Sequence, residues 1–287
     1  MKSDSKVGIM LSVIIPTCNR YDSLLRAIYS VLNQNCEELE IIVVNDAEIP
    51  LPSNILTIAL DNPVHFFENT GAHSAANARN YGVAHAKGKY ITFLDDDDIY
   101  LPGRCEKILT FIRETPFFLL SSGRIEEEND FRKIYISKYQ RFGNIKLNDI
   151  LYNNDIDIGF VISKKDFIKL GGFDSSLSSL EDWDFILRAL SCHDAYKLER
   201  YDYAVNIDGG RDRVSSNQSM GYISLAKKHR ERFGEHWFDT MIIKSKRLNG
   251  TLGLFDVVTY SIRHGSFYAL KAYISNVRDA IGSWVRA

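Results

Sequence analysis

Four consecutive carboxylates, Asp95-Asp96-Asp97-Asp98, follow directly on the apolar residues Ile91, Phe93 and Leu94. Adjacent carboxylates repel one another and stay ionised easily only beside a cation or in water. Hard divalent ions such as Mg²⁺ or Mn²⁺ take oxygen ligands and often share them with phosphates, so a diphosphate-bearing substrate suits this cluster. Spacing tests the other readings. A solvated acidic loop ahead of the helix that begins near Pro102 would need no ligand. A calcium loop of the EF-hand type would put glycine at its sixth position, which counted from Asp95 is Tyr100, and is excluded. An aspartyl-nucleophile phosphatase also places Asp-x-Asp after a strand, with Asp95 as nucleophile and Asp97 as general acid, and stays open.

Two further groups could join such a site. Thr17, Asn19, Arg20 and Asp46 stand at the ends of two apolar runs and could hydrogen-bond a nucleobase and ribose, although turn and cap chemistry accounts for Asn19 and Asp46 taken singly. Arg79 could reach the same crevice or serve as an ordinary surface ion-pair residue. Glu181 and Asp182 open a helical pattern after Gly171-Gly172-Phe173-Asp174, and one of them could act as a general base. Capping and compensation of the helix dipole are the plainer reading of those acids. The seven histidines form no HxxxH pair, and each reads as structural or surface.

The elements that must carry these residues follow from periodicity. Leu11 to Pro16 and Leu39 to Val44 read as buried parallel strands, with a third near Ile55 to Leu60 and a fourth over Tyr90 to Leu94. Between them, Asp22 to Asn33 repeats apolar residues at helical spacing, and the alanine-rich stretch Ser74 to Ala86 is a small-faced helix expected to end before a C-capping Gly88. Strands separated by helices indicate a parallel α/β sheet, and ligands bind such sheets at the carboxyl ends of the strands. A strand is expected over Phe117 to Ser122, a charged hairpin or loop over Glu126 to Arg141, a strand over Gly159 to Ile162, a helical turn over Lys165 to Leu170 and a helix over Glu181 to Ser191. The domain is expected to end near Asn217, with helices following around Met220 to Phe233 and Trp237 to Lys246.

Composition narrows the class. With 45% hydrophobic and 25% charged residues the chain belongs with folded globular proteins, and a net charge of −2 gives no bulk reason to bind nucleic acid. Cys18, Cys36, Cys105 and Cys192 lack CxxC spacing and read as reduced thiols. The first ten residues lack the apolar stretch of a secretory signal, and no apolar run reaches the ~20 residues of a membrane span. A cytoplasmic protein, peripheral on the cytoplasmic face of the inner membrane, is the expectation.

In combination, SVIIPTCNR at Ser12 to Arg20, VVNDA at Val43 to Ala47, ANARNYGVAHAKGKYITFLDDDD at Ala76 to Asp98 and GGFDSSLSSLEDWDFILR at Gly171 to Arg188 resemble glycosyltransferase family 2. Their order and spacing carry the resemblance across most of residues 10–205. It implies the GT-A fold, a Rossmann-like, mostly parallel sheet flanked by helices, with a C-terminal helical extension. It implies a catalytic domain over 1–216, with a nucleotide-sugar half about 10–100 and an acceptor half about 101–216, and the extension over 217–287. Pro16, Thr17, Asn19, Arg20, Asp46, Arg79, Asp95 and Asp96 are then the candidate nucleotide-sugar residues, Asp97 with Asp95 would hold Mn²⁺ or Mg²⁺, and Asp182 would be the base with Glu181 beside it.

The resemblance further implies an inverting transfer from a nucleotide-diphosphate sugar, favouring UDP over GDP or dTDP, to a saccharide or polyprenyl-diphosphate-linked acceptor of surface polysaccharide synthesis. A catalytically silent relative that binds nucleotide or glycan is the alternative. Two departures stand out. Asn45 replaces an aspartate common in the family, and Asn206, Asp208 and Arg211 occupy a region where a histidine is frequent, leaving Arg211 or Arg213 for the phosphates.

Past residue 250, Phe267, Leu270, Ile274, Val277, Ile281 and Trp284 recur at helical spacing, with Lys271, Ser275 and Arg278 on another side. Two readings fit: an interfacial helix on a membrane, with Trp284 and Arg286 near headgroups, or a helix packed on the main domain or on a second subunit as a homodimer.

Overall fold

The computed structural model describes residues 8–208 and 218–284. The chain divides into two compact units, Met1–Ser175 with Asp182–Gly210, and Ser176–Glu181 with Arg211–Ala287.

The first unit opens with β1 (Leu11–Thr17), buried throughout. Helix α1 (Tyr21–Leu32) turns Leu24, Ala27, Ile28 and Val31 inward, the i, i+3, i+4, i+7 stripe of a helix on a sheet. Strand β2 (Leu39–Asn45) is again wholly buried. The strand expected near Ile55 to Leu60 is absent. That stretch forms α2 (Ser53–Leu56) and a 3-10 turn (Thr57–Leu60), and the third strand is β3 (Val64–Glu68). Pro52 presets the entry to the first turn, and Ile55 and Ile58, three residues apart, are the buried pair.

Helix α3 (Ala75–His85) starts at Ser74, whose hydroxyl accepts the Asn77 N–H. It ends at Ala86 in an extended conformation, so Gly88 is not the C-cap expected of it. Gly88 is needed for close approach instead: a Cβ there would lie 2.6 Å from the Ser12 hydroxyl oxygen. The small face of α3 presses on β1, where a Cβ on Gly82 would come within 2.6 Å of Ile14 Cγ2.

Strands β4 (Tyr90–Phe93) and β5 (Ile99–Tyr100), helix α4 (Arg104–Glu114), strands β6 (Leu119–Glu128), β7 (Lys133–Tyr135) and β8 (Gly143–Ile145), and helix α5 (Leu147–Ile150) follow. After them come β9 (Val161–Ser163), α6 (Lys164–Lys169), α7 (Glu181–Leu190) and β10 (Ala195–Asn206). The strand expected to stop at Ser122 continues to Glu128 and turns back as β7, so a hairpin opens the charged segment. The sheet order is β3-β2-β1-β4-β9-β6-β10-β5, with β7 beside β6 and β8 beside β10. Strands β3, β2, β1 and β4 run parallel, while β9 runs antiparallel between β4 and β6.

Strand order reverses at β1, which lies between β2 and β4, and such a reversal opens a crevice at the carboxyl edge. The details show it opening. Pairing of β1 with β2 continues to Thr17 and Asn45, but pairing with β4 ends where the Leu94 N–H donates to the Ile14 carbonyl. Two residues on, Pro16 has no N–H to offer, and the strands part there.

The second unit, taken by itself, is helical. Helix α8 (Gln218–Leu248) is broken at Gly234, whose φ of 78° and ψ of 176° only glycine adopts readily, giving the two helices expected there. Helices α9 (Leu254–His264) and α10 (Tyr268–Trp284) follow. Ile243, Leu252, Val257, Tyr260, Ala269 and Ala272 form their common core. Phe267, Leu270, Ile274 and Val277 lie at the surface, and the side chains of Ile281, Trp284 and Arg286 lie outside the described residues. Among the described residues no helix is long and apolar enough to cross a membrane.

Candidate functional site

The acidic run leaves β4 at its carboxyl end, and its four members alternate between two environments. Asp95 and Asp97 stay partly open, with side chains 34% and 13% exposed, and each meets an arginine. Arg79 Nη2 lies 2.6 Å from Asp95 Oδ1, and Arg20 Nη1 lies 2.7 Å from Asp97 Oδ2. Asp96, 1% exposed, accepts the Thr17 hydroxyl at 2.7 Å and lies 3.2 Å from Arg20 Nη2. Burial pushes its pKa up to about 6, against the opposing pull of Arg20 and Thr17. Asp98, also buried, accepts the Tyr203 hydroxyl at 2.7 Å and the Asn206 N–H at 3.0 Å. Burial, reinforced by repulsion from Asp95 and Asp97, holds its carboxyl well above the usual range. The inward pair therefore ties the loop to β1 and β10, which a merely solvated acidic loop would not do.

Asp46 extends the β1–β2 edge, its N–H donating to the Thr17 carbonyl at 2.7 Å. Its carboxylate accepts the Asn69 amide at 2.6 Å. His73 Nδ1 lies 2.8 Å from the Asp46 carbonyl, and because a carbonyl only accepts, Nδ1 is the donor of that bond. Burial raises the pKa of Asp46, opposed by Asn69 and His73. Asn45 donates to the Ile49 carbonyl at 2.8 Å and to Glu68 Oε2 at 2.7 Å. An aspartate could make neither bond and would repel Glu68, which accounts for the asparagine here. Asn19 is exposed at φ 57°, a left-handed turn position that asparagine tolerates, while Pro16 is buried within β1.

The start of α7 is built from other segments. Leu180 precedes it at φ 63°, a left-handed conformation that costs a leucine about 1–2 kcal/mol. The amide of Asn154 lies 3.5 Å from Asp182 Oδ2, and the Ile156 N–H donates to Asn154 Oδ1, fixing which end of that amide faces Asp182. Trp183 Nε1 donates to the Ile150 carbonyl at 3.0 Å and pins the same loop. Asp184 is fully buried and bonded to Arg188 Nε at 2.9 Å, so it serves the fold; Glu181 is also buried. Gly171 and Gly172 take φ of 86° and 65°, and a Cβ on Gly172 would meet Asn80 Oδ1 at 2.7 Å. They let Phe173 enter the ring cluster of Phe93, Phe160, Phe167 and Phe185. Arg79 lies over the Phe173 ring, with 5.8 Å from its Cζ to the ring centroid, while reaching Asp95.

Of the residues singled out in the sequence, Thr17, Arg20, Asp96 and Asp97 thus form one bonded group, Arg79 and Asp95 a second, and Asp46 a third with Asn69 and His73. Asp182 belongs with Asn154, and Glu181 falls at the edge of the other unit. Sequence reasoning missed Arg26, which donates to the Asp97 carbonyl at 3.0 Å, as well as Asn69, His73 and Asn154. Asn69 and His73 follow β3 closely and would have been found had that strand been placed correctly. Asn206 is committed to Asp98 and Glu127, and Arg211 and Arg213 lie outside the described residues.

The carboxylate oxygens of Asp95 and Asp97 fit a hard divalent cation that shares its shell with phosphate. Among the described residues no group of three or more His, Cys, Asp or Glu side chains is gathered as for a metal ion.

Comparison with known proteins agrees with this architecture. Residues 12–171, more than half the chain, match the family described as Glycosyl transferase family 2. An uncharacterized glycosyltransferase of Haemophilus influenzae is 32% identical over 185 residues, covering 63% of this chain and 62% of that protein. The GalNAc(5)-diNAcBac-PP-undecaprenol beta-1,3-glucosyltransferase of Campylobacter jejuni is 28% identical over 76% of this chain and 73% of its own length. Among solved structures, S. aureus TarS 1-349 in complex with UDP-GlcNAc superposes with a TM-score of 0.68 at 18% identity, covering 96% of this chain and 92% of that one, a likeness of fold.

Proposed function

The chain belongs to glycosyltransferase family 2, and we propose that it is an inverting, metal-dependent enzyme moving a sugar from a nucleotide-diphosphate donor, UDP foremost, to a saccharide or polyprenyl-diphosphate-linked acceptor in surface polysaccharide synthesis. Family membership sets the aspartyl phosphatase aside. The observation that carries the proposal is the pairing of two outward carboxylates, Asp95 and Asp97, with two arginines at the crevice where β1 and β4 part. UDP-GlcNAc in the TarS complex and the undecaprenol-linked acceptor in the name of the Campylobacter relative support the donor and acceptor classes.

In this reading residues 1–216 are the catalytic domain and 217–287 its extension. Pro16, Thr17, Asn19 and Asp46 line the nucleoside pocket, and Asp95 faces the ribose. Arg20 and Arg79 hold the acidic loop, and Asp96 sets its shape through Thr17 rather than by touching the donor. Asp97, with Asp95, would hold Mn²⁺ or Mg²⁺. A bound divalent ion there would offset the negative charge of the departing diphosphate.

Asp182 takes the proton of the acceptor hydroxyl as that oxygen bonds to the anomeric carbon; the carbon–diphosphate bond breaks with its electron pair leaving on the nucleotide diphosphate. Glu181 orients this start of α7. A lipid-linked acceptor also implies a protein that works at the cytoplasmic face of the membrane without crossing it.

Calorimetric titration of UDP-, GDP- and dTDP-sugars, with Mn²⁺ and then with EDTA, tests the reading. The expected result is metal-dependent binding of one donor. Binding of none, with or without metal, would overturn it and point to a silent relative.

A further inference from the structure

Helices α9 and α10 are built inside out for a free-standing pair. Their shared core uses Val257, Tyr260, Ala269 and Ala272, while the larger apolar side chains point away from it. On α9, Phe255, Val258 and Ile262 are exposed at i, i+3 and i+7, with Leu254 beside them; Phe267, just before α10, and Leu270, Ile274 and Val277 on it are exposed at i, i+3, i+7 and i+10. Phe255 is 82% exposed, Ile262 80% and Phe267 70%. Large apolar side chains repeated at helical period along both helices are more than scattered exceptions.

We propose that this α9–α10 face docks on an anionic lipid surface. The inference rests on the peripheral placement read above and adds the side chains that make the contact. Charge selects the occupant. Over α9 and α10 the cations are Arg263, Lys271 and Arg278 and the carboxylates Asp256 and Asp279; Asp256 is engaged by Lys246 and by the Gly253 N–H at 3.0 Å, and Arg263 pairs with Glu235 and Asp239, which leaves Lys271 and Arg278 as the cations beside the apolar face. Lys271 and Arg278 are exposed next to Leu270 and Val277, so apolar side chains and cations occupy neighbouring positions, as a helix lying in a headgroup layer requires. A second copy of this chain fits less well, because a two-fold interface brings each patch against itself and would set these cations against like charges. A helix pair of this kind lies on the bilayer, consistent with the lack, among the described residues, of any helix able to cross one.

The test is flotation of the full chain with vesicles of phosphatidylethanolamine and phosphatidylglycerol against vesicles of phosphatidylcholine alone. It uses two variants made at exposed positions, F255S/I262S/F267S and K271E/R278E. The wild type is expected to partition at least about tenfold more onto the anionic vesicles, the triple variant to lose at least about tenfold of that partition, and the charge variant to lose the anionic preference. Equal partition of wild type and triple variant, or no flotation of either, overturns the proposal. So does a wild-type dimer in sedimentation that the triple variant dissociates, which would assign the face to a second copy. Donor titration run on the same proteins separates the two readings: flotation without donor binding would sink the donor site alone, and donor binding without flotation the docking face alone.

Discussion

The acidic run after β4 and the acidic start of α7 each place adjacent carboxylates at the end of an element, with different groups set beside them. After β4, Asp95 and Asp97 each face a guanidinium within 2.7 Å. At α7, the amide of Asn154 lies 3.5 Å from Asp182 Oδ2. A carboxylate that must stay ionised to share a cation with phosphates profits from a permanent positive charge beside it. One that must accept a proton is better oriented by a dipole, since a guanidinium would hold it ionised and weaken it as a base. In both places a neighbouring acid is turned inward, Asp96 toward Thr17 and Arg20, Asp184 toward Arg188, so each cluster divides its acids between the fold and the crevice.

The largest effect should come from the start of α7. Asp182→Asn keeps the size and loses the base, and turnover measured by nucleotide release should fall by roughly 10²–10⁴ with donor affinity unchanged. A variant that kept full turnover would remove Asp182 from the chemistry and erase the contrast. At the other corner, Asp97→Ala should act on binding first. Donor affinity in Mn²⁺ should drop on the order of a hundredfold, ~3 kcal/mol, and calorimetry should no longer respond to EDTA. Retained EDTA sensitivity would move the cation elsewhere.

The two corners also differ in how far they could be read before the fold was known. Thr17, Asp46 and Asp95–Asp98 each end an apolar strand run, so the rule that ligands gather at carboxyl edges places them from local pattern alone. The partition of the acidic run into inward and outward members was not legible, because it depends on Tyr203 and Asn206, more than a hundred residues away in β10. The surroundings of α7 were less legible still. Asn154 lies in a loop with no periodic signal, and the Gly171-Gly172-Phe173 stretch, read as a device for delivering acids, anchors Phe173 among four other phenylalanines. The misplaced third strand has the same origin: Ile55 and Ile58 are buried, as strand residues would be, but three apart.

A smaller effect tests whether the amide positions the base. Asn154→Ala should lower kcat about tenfold with little change in donor affinity, since it loosens the orientation of Asp182 without altering its charge. Asn154→Asp is the sharper variant. A second carboxylate beside Asp182 should raise the base's apparent pKa and shift the acid limb of the pH–rate profile upward. An unshifted limb in that variant, with kcat intact in the alanine variant, would show that Asn154 only supports its loop.

The smallest effect is on stability and concerns the inward acid. Asp96 has a pKa of about 6 in the fold, against ~3.9 in an unfolded chain, so between those values the native state binds more protons than the unfolded one. Its contribution to stability is therefore greatest near pH 4 and is lost as pH rises through about 6, with a slope no steeper than ~1.4 kcal/mol per pH unit. Asp96→Asn removes the titration. The stability of the wild type minus that of the variant, from urea midpoints at matched m-values, should fall from pH 4.5 to 6.5 and flatten above pH 7. A difference that instead grew with pH would mean that Arg20 outweighs burial and keeps Asp96 ionised, and the division of the run into inward and outward acids would then rest on geometry alone.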